Sequence, residues 1–463
     1  MPGGLHLRGR AVALHPPGRV RGLRCVRARV PGRGDLLRGR PPREVVGLLH
    51  RERRVLRRDG IPGRRDQGRR HRGRPPRDRR APRPERLTRV ALGELPDYPW
   101  DQMAPYAERA RRHPDGIVDL SIGSPVDPTP TLIRDALAWA TDAHAYPTTV
   151  GTPELRQAMV DWHVRRRNAT LGTDQVLPTI GSKEMVAWLP FMLGLGEGDA
   201  VVHPRVAYPT YEIGAALAGA ESVPADDPAD WPAHTRLVWL NSPGNPDGRV
   251  LGVDELRAAV ARARELGAVI ASDECYAELG WEGEWASGPT PSILDARVVG
   301  DDHAGVLALY SLSKQSNLAG YRAALVAGDR ELIARLIRVR KHAGLLPPAP
   351  LQHAMTVALG DDAHVRAQRE LYRARRDVLR PALEDAGWRI YRSEAGLYLW
   401  ATRGRDAWEG IAELADLGIL AGPGPFYGDA SPEHVRLSLT ATDERIAQAA
   451  ARLRAGATAS PSA

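Results

Sequence analysis

The chain has 463 residues, of which 43% are hydrophobic and 26% charged, enough for two ordinary domains. Residues 1–90 hold 28 arginines, no lysine and 7 acidic residues, a balance of +21, so that a net charge of +9 leaves −12 for the remainder. Two cysteines, Cys25 and Cys275, exclude a disulfide framework and a Cys-based zinc cluster, and no apolar run reaches the roughly 20 residues of a membrane-spanning helix. We expect a cytoplasmic protein with no metal and no membrane partner.

Residues 1–90 do not have the composition of a folded domain. They contain no Phe, Trp, Tyr or Ser and are dominated by Arg, Gly and Pro, so they bury too little apolar surface to offset the entropy of ordering. Three interpretations stay open: upstream sequence ahead of the true start, a disordered solvated extension, or an arginine-rich arm on nucleic acid. The last is the least favoured, because no aromatic residues interleave for base stacking and no helix-turn-helix pattern occurs.

Residues 148–345 alternate short apolar runs with amphipathic stretches. Each run is continuously apolar and ends at polar or Gly-rich residues, as strands covered on both faces do. The segment 253–267 has apolar residues at helical spacing and ends in Gly, which predicts a helix. We therefore expect an α/β fold with a large, doubly wound, mainly parallel sheet. The five predicted strands are DAVVH (199–203), RLVWLN (236–241), AVIASD (268–273), VLALYS (306–311) and AALVAG (323–328).

The C-terminal part predicts a second, smaller α+β domain over residues 346–455. Residues 351–386 have the pattern of a long helical region, and four shorter pieces follow it. Residues 91–147 are expected to form an N-terminal arm and part of this smaller domain, and residues 456–463 a disordered tail. The four shorter pieces are WRIYR, GLYLWAT, WEGIAELADLG and VRLSLT.

Reactive side chains follow three of the predicted strands. Because ligands of a doubly wound sheet bind outside the carboxyl ends of its strands, we expect Asn245, Asp273 and Lys314 to face one site. Lys314 is one of three lysines in the chain and directly follows a buried strand. A poorly hydrated lysine has a lowered pKa and suits an amine nucleophile that forms a Schiff base. The alternative is an ordinary exposed lysine in a loop.

Asp273 ends a buried strand, where a carboxylate needs a partner. A protonated pyridine nitrogen would be one, and the alternatives are a helix N-cap or an ion pair with a nearby arginine. Tyr276 and Asn245 could both donate to a phenolic oxygen on such a ring, although NSPGNPDG (241–248) is also simply rich in turn residues.

A phosphate site is predicted where Gly181, Ser182 and Lys183 precede an apolar helical run. The backbone N–H groups at a helix start and a serine hydroxyl can hold a phosphate, whereas the alternative is a plain N-cap serine. Arg322 and Ser311, on either side of Lys314, could reach the same anion.

Two further residues have the chemistry of ligand contacts. Tyr208 follows a strand and offers an aromatic face that could stack on a planar ring, with core packing as the alternative. Arg436 lies within the apolar run VRLSLT, where it needs an anion; a substrate carboxylate gripped by two hydrogen bonds fits, and a structural ion pair is the alternative.

Six motifs in this order carry a family resemblance. From about residue 95 to 455 the chain resembles the class I/II aminotransferases of fold type I, which use pyridoxal 5′-phosphate. The resemblance implies that Lys314 forms the Schiff base, that Asp273 pairs with the pyridine nitrogen, and that Asn245 and Tyr276 bond the 3-hydroxyl. The motifs are GSK (181–183), YPTY (208–211), NSPGNPDG (241–248), SDECY (272–276), SLSKQSNLAGYR (311–322) and VRLSLT (435–440).

The same resemblance implies roles for the other residues. Tyr208 is expected to stack on the cofactor ring, Arg436 to clamp the substrate α-carboxylate, and Gly123, in DLSIGSPVD, to lie beside the substrate with Asn245. Tyr146 would reach the phosphate of a neighbouring subunit, which implies a homodimer with shared active sites. The implied phosphate ligands from the chain itself are Ser182, Lys183 through its backbone, Ser311 and Arg322.

Within the family the chain is most similar to the actinobacterial N-succinyldiaminopimelate aminotransferases, through segments such as IGSKEMVAWLP, RKHAGLLPPAP and EAGLYLWATRG. The expected reaction moves an amino group between N-succinyl-LL-2,6-diaminopimelate and 2-oxoglutarate or glutamate, in lysine biosynthesis. The alternatives are another class I aminotransferase, acting on alanine, aromatic or broadly chosen amino acids, and a C–S β-lyase. A regulator that binds DNA is disfavoured, because the arginine-rich segment contains no reader domain.

Overall fold

The structure, a computed structural model, describes residues 99–459. The predictions for residues 1–90 therefore lie outside the described residues. In chain order the helices are α1 Ala104–Arg111, α2 Thr131–Trp139, α3 Pro153–Arg167, α4 Ser182–Leu193, α5 Thr210–Ala218, α6 Val253–Glu265, α7 Ala296–Val299, α8 Leu312–Gln315, α9 Arg330–Ala343, α10 Ala349–Gly360, α11 Ala363–Asp385, α12 Ala407–Asp416 and α13 Asp443–Ala459. The strands are β1 Val118–Asp119, β2 Val176–Ile180, β3 Ala200–His203, β4 Glu221–Pro224, β5 Thr235–Asn241, β6 Val269–Asp273, β7 Val306–Ser311, β8 Ala323–Gly328, β9 Arg389–Ile390, β10 Tyr398–Thr402, β11 Ile419–Leu420, β12 Gly422–Pro423 and β13 His434–Ser438.

The large sheet has seven strands in the order β2-β8-β7-β6-β5-β3-β4. Strands β3 to β7 are parallel to one another, and β8 runs antiparallel to both β7 and β2. The prediction of a mainly parallel, doubly wound sheet is confirmed. The two strands that the sequence does not predict are the edge strands: β2 contains Pro178, a residue confined to edges and bulges, and β4 is polar and partly exposed.

Helices cover both faces of the large sheet, and this explains why its strands are apolar throughout. In β5 the side chains alternate: Leu237 and Trp239 pack with α4, α5 and α9, whereas Val238 and Leu240 pack on the opposite face with α3 and α10. Because α10 belongs to this core, it packs on the large sheet even though the sequence assigned residues 346–455 to the smaller domain.

The smaller part contains an antiparallel sheet in the order β12-β13-β10-β9, next to the parallel pair β1-β11. The pairing of Val118 with Ile419 joins the N-terminal segment to this part. The predicted long helix over 351–386 is two helices, α10 and α11, because the backbone of Asp361 is extended and ends the first; its side chain accepts the N–H of His364 in the first turn of the second.

The last helix, α13, continues to Ala459, so residues 456–459 are helical where the sequence predicts a disordered tail. The rest of that predicted tail, residues 460–463, lies outside the described part of the chain. Between residues 99 and 459, no helix combines the length and the apolar character needed to cross a membrane.

Candidate active site

The carboxyl ends of three adjacent strands meet at one cavity of about 1150 Å³. Asn241 ends β5 and is the register partner of Asp273, which ends β6, while β7 beside it ends at Ser311. Every predicted site residue except Tyr146 lines this cavity, including the four that come from distant segments. These four are Gly123, Tyr208, Arg322 and Arg436.

Lys314 lies on α8, a single helical turn that directly follows β7. Its Nζ donates a hydrogen bond to the backbone carbonyl of Gly123. Desolvation lowers the pKa of Lys314, and the positive charges of Arg436 and Arg322 lower it further. A lysine with a lowered pKa has a larger fraction of free amine near neutral pH, which is the form that acts as nucleophile and base.

Asp273 accepts hydrogen bonds on both carboxylate oxygens. The hydroxyl of Tyr211 donates to Oδ2 at 3.2 Å, and the backbone N–H of Cys275 donates to Oδ1 at 3.3 Å. Burial raises the pKa of Asp273, while hydrogen bonds from the side chain and backbone of Cys275 and from Tyr211 oppose the rise. The sequence analysis did not predict that Tyr211 donates to Asp273. Tyr211 lies three residues after Tyr208, on the first turn of α5, and its ring stacks on Trp239.

Tyr276 and Tyr398 form a buried pair of phenols, with 3.2 Å between their hydroxyl oxygens. Burial and the neighbouring Tyr398 raise the pKa of Tyr276 well above its ordinary value. Burial alone would raise the pKa of Tyr398 too, but the charges of Arg436 and Lys314 and the contact with Tyr276 hold it below its ordinary value. Tyr398 also escaped the sequence interpretation, because it lies in the continuous apolar run GLYLW.

The start of α4 brings together groups that can donate hydrogen bonds to an anion. Gly181 precedes the helix with a φ of +77°, and a Cβ there would be 3.1 Å from Nε of Arg322 and nearer still to the rest of the guanidinium. The guanidinium therefore lies in space that only glycine leaves open, beside the free N–H groups of a twelve-residue helix. The hydroxyl of Ser311, which accepts the N–H of Ser313 at 3.1 Å, lines the same cavity.

Arg436 lies on β13 between two aromatic faces. Its guanidinium carbon is 3.9 Å from the ring centre of Tyr398 and 4.9 Å from that of Tyr427. Nη1 donates to Oδ1 of Asn245 at 2.8 Å, and Nη2 donates to the carbonyl of Ser121 at 2.6 Å. Nε is buried and has no hydrogen-bond partner among residues 99–459, so the guanidinium can still take a carboxylate.

The two remaining predicted residues, Tyr208 and Tyr146, differ in whether they line the cavity. Tyr208 lines the cavity and packs edge-to-face on Tyr211, with Nζ of Lys183 5.9 Å from its ring centre. Tyr146 is 98% exposed and does not contribute to the cavity. Its expected contact with a neighbouring subunit stays a prediction.

Comparison with known proteins identifies the family that this fold and site define. Residues 115–453 match the family described as aminotransferase class I and II, so the chain belongs to that family. It is 56% identical over 363 residues to the 4-dedimethylamino-4-oxo-anhydrotetracycline transaminase OxyQ of Streptomyces rimosus, covering 78% of this chain and 100% of that protein. It is 51% identical over 414 residues to the probable aminotransferase Rv1178 of Mycobacterium tuberculosis, covering 87% of this chain and 98% of that protein.

Solved structures agree with this assignment. An aminotransferase from Neisseria meningitidis superposes with a TM-score of 0.71 at 31% identity, over 79% of this chain and 98% of that one. A Thermus thermophilus aspartate aminotransferase mutant gives a TM-score of 0.70 at 25% identity, over 78% of this chain and 97% of that one. The chain is a transaminase, and its cofactor is pyridoxal 5′-phosphate.

The residues present fit that cofactor. The N–H groups at the start of α4, together with the Arg322 guanidinium packed against Gly181, suit a phosphate, and the buried carboxylate of Asp273 suits a protonated pyridine nitrogen. Lys314 lies in the same cavity as both groups, so its amine is available to the aldehyde.

Proposed function

We propose that this transaminase moves an amino group between N-succinyl-LL-2,6-diaminopimelate and 2-oxoglutarate. The observation that carries the proposal is a surplus of positive charge in the cavity. Besides Lys314, Arg322 and Arg436, the cavity wall contains Lys183 and Arg205. In the part of the chain that the structure describes, neither of these two side chains takes part in an ion pair within 4.0 Å.

The proposed amino donor has three carboxylates. Arg436 would hold the one beside the reacting amine, and the other two require donors farther along the cavity. Lys183 and Arg205 supply two cations for them, whereas a small donor such as alanine would leave both without a ligand. Glu212 and Asp429 also line the cavity, and their carboxylates can accept the amide N–H of the succinyl group.

The proposed chemistry assigns each side chain a task at the reacting atoms. When bound, pyridoxal 5′-phosphate supplies a ring that stores the electron pair of the broken Cα–H bond. The free amine of Lys314 would take the proton from the substrate α-carbon and carry it to the carbon of the cofactor that bore the aldehyde. Asp273 holds the ring nitrogen protonated, and Arg436 fixes the α-carboxylate so that the α-proton faces Lys314.

Holding the cofactor is the task of the remaining residues. Asn245 and Tyr276 would bond the 3-oxygen, and Tyr208 would stack on the ring face. The phosphate would be held by Ser182, the backbone N–H of Lys183, Ser311 and Arg322, the four groups at the start of α4 and the ends of the lysine segment.

We also propose that the chain works as a homodimer in which Tyr146 reaches the phosphate of the partner copy. The exposure of Tyr146 supports this, because an aromatic side chain 98% exposed leaves its whole ring available to a second copy. Sedimentation analysis of the full chain should give twice the monomer mass, and Tyr146→Ala should weaken cofactor binding. A monomer with full cofactor affinity would contradict the proposal.

A second candidate substrate is a tetracycline-type ketone, because the relative OxyQ is named for one. Aromatic side chains at one end of the cavity favour it. Trp100 and Trp408 pack against Phe426 with ring centres 5.2 and 5.6 Å away, and all three line the cavity. Such a wall suits a flat apolar substrate better than a carboxylate.

A substrate panel separates the candidates. The full-length enzyme loaded with cofactor is mixed with N-succinyl-LL-2,6-diaminopimelate, alanine, phenylalanine, cystathionine, or 4-dedimethylamino-4-oxo-anhydrotetracycline with glutamate as donor, and product amines and oxo acids are measured. The proposal expects the succinylated donor to give the highest kcat/KM. Highest turnover of the tetracycline ketone would favour the second candidate, and ammonia and pyruvate from cystathionine would indicate a β-lyase.

The variant Arg205→Met tests the proposed contact with a distal carboxylate. KM for the succinylated donor should rise about tenfold, which is the effect expected when one charge-assisted hydrogen bond is lost, while KM for alanine stays unchanged.

A further inference from the structure

One face of α11 is a buried polar stripe. His364, Gln368, Tyr372 and Arg375 occupy positions i, i+4, i+8 and i+11 of the helix, so they share one side. All four are at most 8% exposed. A helix that packs only for stability places apolar residues on its buried side, and four polar residues in a row require specific partners.

Three of these residues contact the segment that begins at Lys314. The hydroxyl of Tyr372 donates to the backbone carbonyl of Lys314 at 3.2 Å. Oγ of Ser316 lies 2.8 Å from Nε2 of His364, and Nδ2 of Asn317 donates to Oε1 of Gln368 at 2.7 Å. The backbone of the lysine and the two polar side chains that follow its helical turn are therefore all bonded to one helix.

The same stripe also contacts the segment that contains Gly123, the residue whose carbonyl accepts the Lys314 amine. Gln368 donates to Oδ2 of Asp127 at 2.8 Å, and Arg375 makes a two-pronged ion pair with the same carboxylate. Burial would raise the pKa of Asp127, but the bonds from Arg375 and Gln368 lower it. Asp127 follows Gly123, whose carbonyl accepts the Lys314 amine, so α11 fixes both the donor and the acceptor of that bond.

A hydrolytic role for this cluster is excluded by burial. Asp361, His364 and Ser316 are joined in the order of a nucleophile triad, with 2.7 Å between Oδ2 of Asp361 and Nδ1 of His364. Ser316, however, is 0% exposed and does not line the cavity, so no substrate reaches its hydroxyl. The Asp361 carboxylate instead holds Nδ1–H, which leaves Nε2 to accept from Ser316 and anchors the segment.

We propose that His364, Gln368 and Tyr372 are positioning residues that hold the Lys314 amine at the Gly123 carbonyl by fixing the backbone of the lysine segment. The inference rests on the proposed role of Lys314 as the reacting amine. The three residues lie outside the cavity lining, so they act on the reaction only through the lysine segment. Without them the Lys314 amine would sample positions away from Gly123, and the proton transfer would slow while binding of substrate stayed the same.

The test compares Tyr372→Phe with Arg373→Met in the full-length protein. Arg373 is the next residue of α11 and also donates to a backbone carbonyl, that of Ala286 at 3.0 Å, far from the lysine segment. Tyr372→Phe keeps the ring and loses only the bond to Lys314. Gln368→Met is a second variant, which removes the bonds to Asn317 and Asp127.

Hydrogen exchange of residues 312–318, followed by mass spectrometry with and without cofactor, should be about fivefold faster in Tyr372→Phe, as expected for one lost hydrogen bond. In the loaded enzyme kcat should fall about tenfold while KM for both substrates changes less than twofold. Gln368→Met should behave likewise, and Arg373→Met should match the wild type in both measurements.

The proposal is overturned if exchange of residues 312–318 is unchanged in both stripe variants, or if KM rises with kcat intact. A different measurement tests the role of Lys314 itself: turnover by Lys314→Ala would show that this lysine is not the reacting amine. The exchange measurement on cofactor-free protein does not depend on that role, because it reports only how firmly residues 312–318 are held.

Discussion

The phenol of Tyr398 lies in the space that a side chain on residue 123 would occupy. A Cβ at Gly123 would be 2.9 Å from Cε1 and Cζ of Tyr398 and closer still to its hydroxyl, so the pair fits only with glycine. This contact matters because the Gly123 carbonyl accepts the Lys314 amine and the Tyr398 ring lies against Arg436. A change at either residue therefore reaches both the predicted base and the predicted carboxylate clamp.

We expect Gly123→Ala to destabilise the protein by about 1–3 kcal/mol, the usual cost of overpacking a closed site, and to lower kcat/KM. Tyr398→Phe in the same chain should recover part of both losses, because the nearest atom to the new methyl group is the hydroxyl. Thermal unfolding and steady-state kinetics of the two single variants and the double variant measure the coupling. Gly360→Ala, where a Cβ meets nothing within 4 Å, is the control. Strictly additive effects would contradict the contact.

Lys314→Ala should reduce turnover at least 10²- to 10⁴-fold, the range for loss of a positioned base, and further if the lysine also bonds the cofactor. Borohydride reduction of the loaded protein, followed by mass spectrometry of its peptides, should place the cofactor on Lys314. Lys341→Ala serves as the control, because Lys341 is an exposed residue of α9. Cofactor trapped on another lysine would disprove the assignment.

Gly181→Ala should weaken cofactor binding about tenfold, because the methyl group would displace the Arg322 guanidinium and a φ of +77° costs an L-residue about 1–2 kcal/mol. Equilibrium dialysis of pyridoxal 5′-phosphate gives the affinity. Gly198→Ala has the same type of backbone strain, with a φ of +87°, but its Cβ meets nothing within 4 Å. Cofactor affinity in Gly181→Ala as high as in Gly198→Ala would contradict the role of the guanidinium.

Acidification should destabilise the protein through His163. Burial lowers the pKa of His163 from 6.5 to about 4, while its Nδ1 lies 2.7 Å from the carbonyl of Met159. Between these two values the unfolded chain binds a proton that the folded chain does not, so the free energy of unfolding falls as pH decreases from 6.5 to about 4. At about 1.4 kcal/mol per pH unit the total is about 3 kcal/mol.

Urea unfolding of the full chain at a series of pH values measures this loss. His163→Gln has no proton to gain, so its unfolding free energy should fall less steeply over the same range, although other buried histidines contribute to both curves. Parallel curves for the two proteins would mean that His163 is protonated in the folded state and that burial does not depress its pKa.

The sequence predicts the fold class because a strand that is buried on both faces can be recognised from its own residues, as a short and continuously apolar run. All five predicted strands of the large sheet are present within a residue or two, and Asp273 and Lys314 lie where strand ends put them. The family assignment and the cofactor are confirmed by the comparisons. The individual roles of the cavity residues stay predictions, although eleven positions from separate segments converge on one cavity as expected.

What the sequence did not reveal depends on contacts between distant segments. Tyr398 is indistinguishable from a core residue until β10 pairs with β13 and places its ring beside Arg436. Tyr372 and Gln368 look like parts of an ordinary amphipathic helix, and only the packing of α11 on the lysine segment gives them partners. The break between α10 and α11 is a local feature that the sequence analysis did not predict: Asp361 ends α10 and accepts the N–H of His364.

The reversed direction of β8 has a consequence for how such chains can vary. Because Ser311 at the end of β7 is the register partner of Ala324 in β8, the sheet holds the two ends of the connection 312–322 next to each other. Arg322 precedes a strand, yet it lies at the same edge as residues that follow strands. Because the sheet holds both ends of this connection, an insertion or deletion between Ser311 and Arg322 would move Lys314 relative to these two residues.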